Sequence, residues 1–319
     1  MRIIFMGTPE FAAPAIDSLI EAGHEIAAVF SQPDKPKGRG YTLTPPPVKV
    51  KALEHGIPVY QPRSMRDGEA LKIFQEINPD VGVVIAYGKI LPQEILDAPK
   101  FGCINVHASL LPKYRGAAPI QWSVIDGESK TGVTTMQMDA GLDTGDMLLR
   151  SETPILPDET AGELHDRLSA MGAQLIVRTL DALAKGELTP EKQDDSQTCY
   201  AKMLTKELCA VDWSKSAQEI HNQIRGLSPW PVATAVLDGK KLKLHRSAIS
   251  PLQDSEAQCG EIISLEPFTV KCGSGAIELL EVQAEGKKRM TSAEYLRGHK
   301  IETGSRLEVA GKEKGIAQR

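Results

Sequence analysis

The 319 residues allow two domains or one large one. A composition of 41% hydrophobic and 25% charged residues is that of a soluble globular protein, and the longest apolar runs, 3–6 and 81–86, are far too short to span a membrane. A net charge of −5 argues against a dedicated nucleic-acid binder, and five scattered cysteines without a C-x-x-C pair argue against disulfides and zinc. We therefore expect a cytoplasmic protein without membrane attachment.

The first 185 residues alternate short apolar runs with amphipathic stretches. The apolar runs predict strands at 2–7, 25–30, 58–60, 81–86, 103–108, 132–138 and 147–153. The amphipathic stretches predict helices at 11–22, 48–54, 67–77, 92–97, 118–125 and 160–185. Such alternation is typical of a Rossmann-like α/β fold, in which helices cover both faces of a mostly parallel sheet.

The pattern changes after residue 186. Residues 187–198 are polar with little periodicity, and a helix is predicted at 217–227. Turn signals then separate short alternating runs, which predict strands at 234–237, 241–245, 260–264, 268–272 and 276–283. This pattern indicates a small all-β barrel or sandwich. We therefore expect a first domain at 1–186, a connector at 187–205 and a C-terminal domain at 206–319.

A glycine follows the first strand and invites comparison with dinucleotide-binding turns. After Gly7, however, Pro9 and Ala12 stand where the further glycines of that fingerprint belong. A proline at this place is a common helix opener. The segment therefore indicates a tight strand-to-helix turn, which argues against a nicotinamide-dependent dehydrogenase.

The segment 31–51 is long, basic and rich in Gly and Pro. It carries Lys35, Lys37, Arg39, Lys49 and Lys51 against a single acidic residue. Such a segment is too long for a plain connection, and flexible basic loops beside a pocket attract phosphates. A merely solvated loop is the alternative at this point.

The most informative stretch of the chain is 103–116. Asn105 and His107 stand two residues apart in a predicted strand and should share one face. The strand ends before Pro112, so both side chains are expected at its carboxyl end, where open α/β sheets bind ligands. Both groups can donate hydrogen bonds, and His107 can move a proton near neutral pH. A pair of satisfied core residues is the simpler alternative.

A Gly-rich loop at 139–146 follows another predicted strand. It carries Asp139, Asp143 and Asp146. A carboxylate from this loop is able to orient His107 in a base-and-orienter arrangement.

Together these motifs resemble those of the folate-dependent formyltransferases, which move a formyl group from 10-formyltetrahydrofolate to an amine. The resemblance is carried by N-x-H, by SLLPKYRG at 109–116 and by D-x-G-x-D-T-G-D at 139–146, and it extends from MGTPEF at 6–11 to SPWP at 228–231. The family's catalytic Asn, His and Asp would then be Asn105, His107 and Asp143. The family's C-terminal domain is a barrel resembling the oligonucleotide-binding (OB) fold, which would be the domain at 206–319.

The resemblance also implies the substrates. Members that act on initiator methionyl-tRNA have a basic loop at this position that reaches the acceptor arm, which would make Lys35, Lys37 and Arg39 tRNA contacts. The folate would lie against two segments, whose residues here are Ala86, Tyr87, Gly88, Ser109, Leu110, Leu111 and Pro112. The family's chemistry implies no metal, and we expect a monomer.

Three alternatives to this function remain open. The acceptor amine could be that of a nucleotide sugar, or water could take its place in a formyl-folate hydrolase. The chain could also be a non-catalytic RNA-binding protein on a formyltransferase core. The C-terminal 114 residues carry 17 Lys and Arg against 15 Asp and Glu, which is too mild an excess to indicate RNA by itself.

Overall fold

The structure is a computed structural model that describes residues 1–37, 41–252 and 254–311. It contains two compact units that interleave along the chain. Unit 1 comprises residues 1–119, 130–153 and 165–201, and unit 2 comprises 120–129, 154–164 and the chain from 202 onward. Among the described residues, no helix combines the length and apolar character needed to cross a membrane.

The strands up to residue 201 include all the predicted ones. They are β1 (Arg2–Gly7), β2 (Glu25–Phe30), β3 (Lys35–Lys37), β4 (Thr42–Thr44), β5 (Val59–Tyr60), β6 (Val81–Ile85), β7 (Cys103–His107), β8 (Arg115–Gly116), β9 (Lys130–Gln137), β10 (Met147–Pro154) and β11 (Tyr200–Ala201). The helices are α1 (Ala13–Glu21), α2 (Pro47–Glu54), α3 (Glu69–Ile77), α4 (Gln93–Asp97), α5 (Pro119–Ile125) and α6 (Ala161–Lys185).

Seven of these strands form the main sheet of unit 1, in the order β10-β9-β7-β6-β1-β2-β5. The pairs from β5 to β7 are all parallel, and β9 runs antiparallel to β7. The predicted mostly parallel sheet is therefore confirmed. Five parallel strands place their carboxyl ends at one edge, and β7 lies inside the sheet with neighbours on both sides.

Helices cover both faces of this sheet, as predicted. On one face, the β7 residue Cys103 belongs to an apolar cluster with Phe74 of α3 and Ile95 of α4. On the other face, Gly172 of α6 lies against Val106; a Cβ on this glycine would be 3.0 Å from a Val106 methyl carbon. Because side chains alternate along a strand, Asn105 and His107 share the face of Cys103.

Unit 2 contains the predicted small all-β domain. Its elements after residue 202 are α7 (Ala217–Gly226), β12 (Ala233–Leu237), β13 (Lys240–Ser250), β14 (Ile262–Leu265), β15 (Phe268–Lys271), β16 (Ala276–Ala284), β17 (Met290–Thr291), α8 (Ser292–Arg297) and β18 (Leu307–Val309). The sheet order is β14-β15-β16-β13-β12-β18, and β17 pairs with β16.

This second sheet curls until its two edges meet. The Ile262 N–H of β14 donates to the Ser305 carbonyl at 2.8 Å, and the Leu307 N–H of β18 donates to the Gly260 carbonyl at 2.8 Å. An antiparallel bridge between Glu261 and Arg306 lies beside these bonds. Joining the edges in this way removes the exposed strand edges that an open sheet would present.

Candidate active site

Strand β7 delivers Asn105 and His107 to the carboxyl edge of the main sheet, as the alternation of the sequence predicts. Both are nearly buried, with Asn105 9% and His107 6% exposed. Polar groups buried to this degree usually have a hydrogen-bond partner in the protein, in ordered water or in a ligand. The two residues differ in how the protein meets this requirement.

The Asn105 carboxamide has no hydrogen-bond partner within the described parts of the chain. A nearly buried amide in this state retains two N–H donors for a ligand. The alternative of a satisfied core residue therefore does not describe Asn105.

His107 is held by a backbone carbonyl. Its Nε2 lies 2.9 Å from the Tyr114 carbonyl oxygen. Because a carbonyl only accepts, Nε2 carries a proton and donates it to Tyr114. The other ring nitrogen, Nδ1, lies 3.8 Å from Oδ2 of Asp143. Nδ1 therefore faces the Asp143 carboxylate, whereas Nε2 is held by the backbone.

The three aspartates of the 139–146 loop have different surroundings. Asp139 organises the loop itself, since its carboxylate accepts from the Gly141 N–H at 3.0 Å and from the Thr144 hydroxyl at 2.7 Å. Asp143 faces His107, and its Oδ2 accepts from the Gly116 N–H at 2.8 Å. Within the described residues, Asp143 is the one of the three whose carboxylate lies against His107.

The Ser-Leu-Leu-Pro turn after β7 is held from inside. The Thr134 hydroxyl of β9 donates to the Ser109 carbonyl at 2.7 Å and accepts from the Leu111 N–H at 3.2 Å. Ser109 and Leu111 are buried, whereas Leu110 and Pro112 are partly exposed. The side chains of Ser109 and Leu111 therefore pack inside the protein, and those of Leu110 and Pro112 remain accessible to a ligand.

In the turn after β6, the backbone and not the large side chain is accessible to a ligand. Tyr87 is buried, its hydroxyl contacts the Met65 sulfur at 3.3 Å, and burial raises the pKa of this hydroxyl. The Tyr87 carbonyl already accepts from the side chains of Thr8 and Gln32. Ala86 and Gly88 are exposed on either side, both with positive φ (47° and 76°).

The basic segment contains a short hairpin that the sequence did not predict. Strands β3 and β4 pair antiparallel, with Lys35 opposite Thr44. The side chain of Lys35 is exposed; for Lys37 only the backbone is described, and Arg39 lies outside the described residues. At the tip of the hairpin, Tyr41 is 81% exposed.

Two of the five basic residues of this segment serve the fold. Lys49 donates to both carboxylate oxygens of Asp34 at 2.9 Å, and these bonds lower the pKa of Asp34. Lys51 forms ion pairs with Asp17 and Glu54. Among the basic side chains of this segment that the structure describes, Lys35 is therefore the one that remains open to a partner.

One residue that touches the site was missed by sequence reasoning. Gln193 hydrogen-bonds to the loop that carries Asp143, although 50 residues separate them in the chain. It lies in a polar stretch without periodicity, and nothing in that stretch signals such a contact. Gly116, which binds the Asp143 carboxylate, is the final residue of the SLLPKYRG motif.

A Rossmann-like sheet that presents an unpartnered amide, an imidazole and a carboxylate at its carboxyl edge has the parts of an acyl-transfer site. Comparison with known proteins gives the family. Residues 1–180 match the formyl transferase family, and residues 203–300 match the formyl transferase C-terminal domain. The chain belongs to the formyl transferase family.

Similarity to named relatives narrows this further. The chain is 56% identical to the methionyl-tRNA formyltransferase of Geobacter sulfurreducens, over 98% of either chain. It is 55% identical to that of Citrifermentans bemidjiense, over 96% of either chain. Among solved structures, an N-formyltransferase from Helicobacter canadensis in complex with folinic acid and dTDP-3-aminofucose gives a TM-score of 0.66 at 19% identity, covering 88% of this chain and 98% of that one. The last likeness concerns the fold alone.

Proposed function

We propose that this protein transfers the formyl group of 10-formyltetrahydrofolate to the α-amino group of initiator methionyl-tRNA, which gives N-formylmethionyl-tRNA for translation initiation. The observation that carries the proposal is the arrangement of Asn105, His107 and Asp143. It occurs in a chain that is similar to a methionyl-tRNA formyltransferase over 98% of its length. We further propose that residues 1–186 carry the reaction, that 187–205 connect, and that 206–319 assist tRNA binding.

The reaction is an attack of the amine nitrogen on the formyl carbon. A tetrahedral intermediate forms, and the electrons of the C=O bond move to oxygen, which becomes an oxyanion. The free N–H groups of Asn105 are the donors for this oxyanion. One well-aimed donor of this kind typically contributes about 10²–10³ in rate.

Collapse of the intermediate breaks the bond between the formyl carbon and N10 of the folate. N10 then gains a proton, and the former amine loses one. His107 is the residue that moves this proton, through Nδ1, because Nε2 is engaged with Tyr114. The Asp143 carboxylate faces Nδ1 from 3.8 Å and orients the ring for this transfer.

The acceptor needs little activation. A free α-amine has a pKa of about 7.7–8.0, and the ester of an aminoacyl-tRNA lowers it further. Much of the amine is therefore neutral at pH 7. The folate would lie against the exposed backbone of Ala86 and Gly88 and against Leu110 and Pro112.

Two basic surfaces support a tRNA acceptor. The first is the β3–β4 hairpin with Lys35, to which the sequence adds Lys37 and Arg39. The second, which we call the barrel lysine cluster, belongs to the start of β13 and to the turn that follows β16. Its members are Lys240, Lys241, Lys243, Lys287 and Lys288.

The barrel lysine cluster follows from the strand register. Leu242 pairs with Ala284 and Lys243 with Gln283, so the start of β13 lies beside the turn that ends β16. Within the described residues, none of these five lysines forms an ion pair with an acidic side chain, although Asp238 and Glu285 lie in the same two turns. The excess of positive charge suits the phosphates of an RNA.

The deciding experiment offers the enzyme two acceptors. We would incubate the purified chain with 10-formyltetrahydrofolate and either methionyl-tRNA or a nucleotide-linked amino sugar, and measure the formylated product. We expect rapid formylation of methionyl-tRNA only. Formylation of the sugar instead would overturn the acceptor, and release of formate without a formylated amine would indicate a hydrolase.

A further inference from the structure

The position of Asp143 depends on what holds its loop. The residue has a φ of +55°, in the left-handed region that non-glycine residues seldom adopt. Its carboxylate must nevertheless remain 3.8 Å from His107 Nδ1. Contacts to the loop backbone therefore bear directly on the geometry of the site.

Gln193 provides two of these contacts with one amide group. Its Nε2 donates to the carbonyl oxygens of Asp143 and Gly145, both at 2.8 Å. Its Oε1 accepts from Nε of Arg115 at 2.9 Å. A carboxylate cannot donate to the two carbonyls, and a lysine cannot accept from the guanidinium. Glutamine is therefore the side chain that meets both demands at this length.

Arg115, which binds Oε1 of Gln193, is itself held in place by further contacts. Its side chain is only 3% exposed and donates from Nη2 to Asp195 at 2.8 Å. Its backbone N–H donates to the Cys199 carbonyl at 3.0 Å, within the pairing of β8 with β11. The next residue, Gly116, donates to the Asp143 carboxylate itself. One short strand thus holds the carboxylate directly and the loop backbone through Gln193.

We propose that Gln193 is a positioning residue for Asp143, anchored by Arg115. Among the described residues, Gln193 forms no hydrogen bond with His107 or Asn105, and its effect on the reaction passes through the Asp143 loop. The segment after α6, which we assign above as the connector, then also supports the active site through the Asp143 loop. This inference rests on the proposed function, since it assumes that Asp143 takes part in the reaction.

The test replaces Gln193 without opening space. Gln193 and Arg115 border a cavity of about 490 Å³, so a truncation to Ala would let water bind the two carbonyls. Gln193→Met fills a similar volume and removes all three hydrogen bonds, whereas Gln193→Glu retains only the acceptor for Arg115. Gln197→Met is the matched control, because Gln197 lies in the same segment and donates to the exposed Asp194.

We expect Gln193→Met and Gln193→Glu each to lower kcat about 10- to 100-fold, the usual consequence of a displacement near 1 Å in a catalytic group. KM for 10-formyltetrahydrofolate and for methionyl-tRNA should stay within about twofold. Gln197→Met should match the wild type. Equal kcat in all four proteins, or a change confined to KM, would overturn the proposal.

A double-mutant cycle separates positioning from a general structural role. If Gln193 acts only through Asp143, then Gln193→Met should change kcat less than about twofold in an Asp143→Ala background. If the kcat of the double variant instead falls by the product of the two single-variant factors, the inference is overturned and the proposed function stays intact. Wild-type turnover of Asp143→Ala alone would overturn the role of Asp143, and the role of Gln193 with it.

Discussion

At the scale of single residues, the site combines side chains that the protein satisfies with one that it leaves open. His107 and Asp143 each have a backbone partner, Tyr114 and Gly116 respectively, which fixes them before any substrate arrives. Asn105 alone has its amide unpartnered among the described residues of this site. This contrast fits the proposed division, in which His107, oriented by Asp143, moves a proton and Asn105 remains available to an oxyanion.

The state of Asn105 leads to a prediction about stability as well as rate. Asn105→Ala should lower kcat about 10²–10³-fold, because the oxyanion loses its donor. It should cost less than about 1 kcal/mol of unfolding free energy, because no hydrogen bond within the protein is broken. Steady-state kinetics and thermal unfolding measure the two effects.

Asn105→Asp serves as the companion variant. It keeps the shape of the side chain but places negative charge where negative charge develops, so its kcat should fall below that of Asn105→Ala. Turnover near the wild-type value in either variant, or a large loss of stability in Asn105→Ala, would contradict this assignment.

At the scale of secondary-structure elements, success of prediction followed the regularity of the local pattern. Strands β1 and β2 were predicted to the residue, because each is a continuous apolar run between polar ends. Strand β13 was predicted as 241–245 but extends to Ser250, since a register irregularity at Arg246 breaks the alternation. Helix α8 was missed because its six residues are too few to show a helical period.

The placement of the candidate site residues depended on local pattern in the same way. Asn105 and His107 were predicted as a pair because both lie on one strand, where alternation decides which side chains share a face. Asp143 was predicted because the motif of its loop resembles that of the folate-dependent formyltransferases. Gln193 and the β3–β4 hairpin were not predictable, since the contacts that define them depend on tertiary structure and on a Pro- and Gly-rich segment without a period.

The hairpin carries its own prediction. Replacing Lys35 and Arg39 together with Ala should raise KM for methionyl-tRNA on the order of tenfold, because two phosphate contacts disappear, and leave KM for 10-formyltetrahydrofolate unchanged. Lys185→Ala, at the exposed end of α6, is a control that should behave as the wild type. A change in folate KM would mean that the segment serves the folate pocket instead.

At the scale of the whole molecule, charge is distributed unevenly although the total is −5. The hairpin lies in unit 1 and the barrel lysine cluster in unit 2, so each unit carries its own basic surface. Each phosphate bound by a protein cation releases counterions from the nucleic acid, which makes affinity depend on salt. A protein of negative net charge is therefore able to bind tRNA through local basic surfaces. The slope of log K against log salt then reports how many phosphates these surfaces neutralise.

The salt dependence of tRNA binding tests the role of the barrel lysine cluster. Lys241→Gln with Lys288→Gln should reduce the slope of log K against log salt for tRNA binding by about 0.7–0.9 for each phosphate that is no longer neutralised, and should leave kcat at saturating tRNA unchanged. The control is Lys215→Gln with Lys271→Gln, which removes the same charge from unit 2. Both lysines lie at the other end of β16, because Lys271 pairs with Ala276 and the Lys215 carbonyl accepts from the Gly273 N–H, so their replacement should leave the slope nearly unchanged. Equal slopes for the two double variants would show that net charge, and not the barrel lysine cluster, governs binding by this unit.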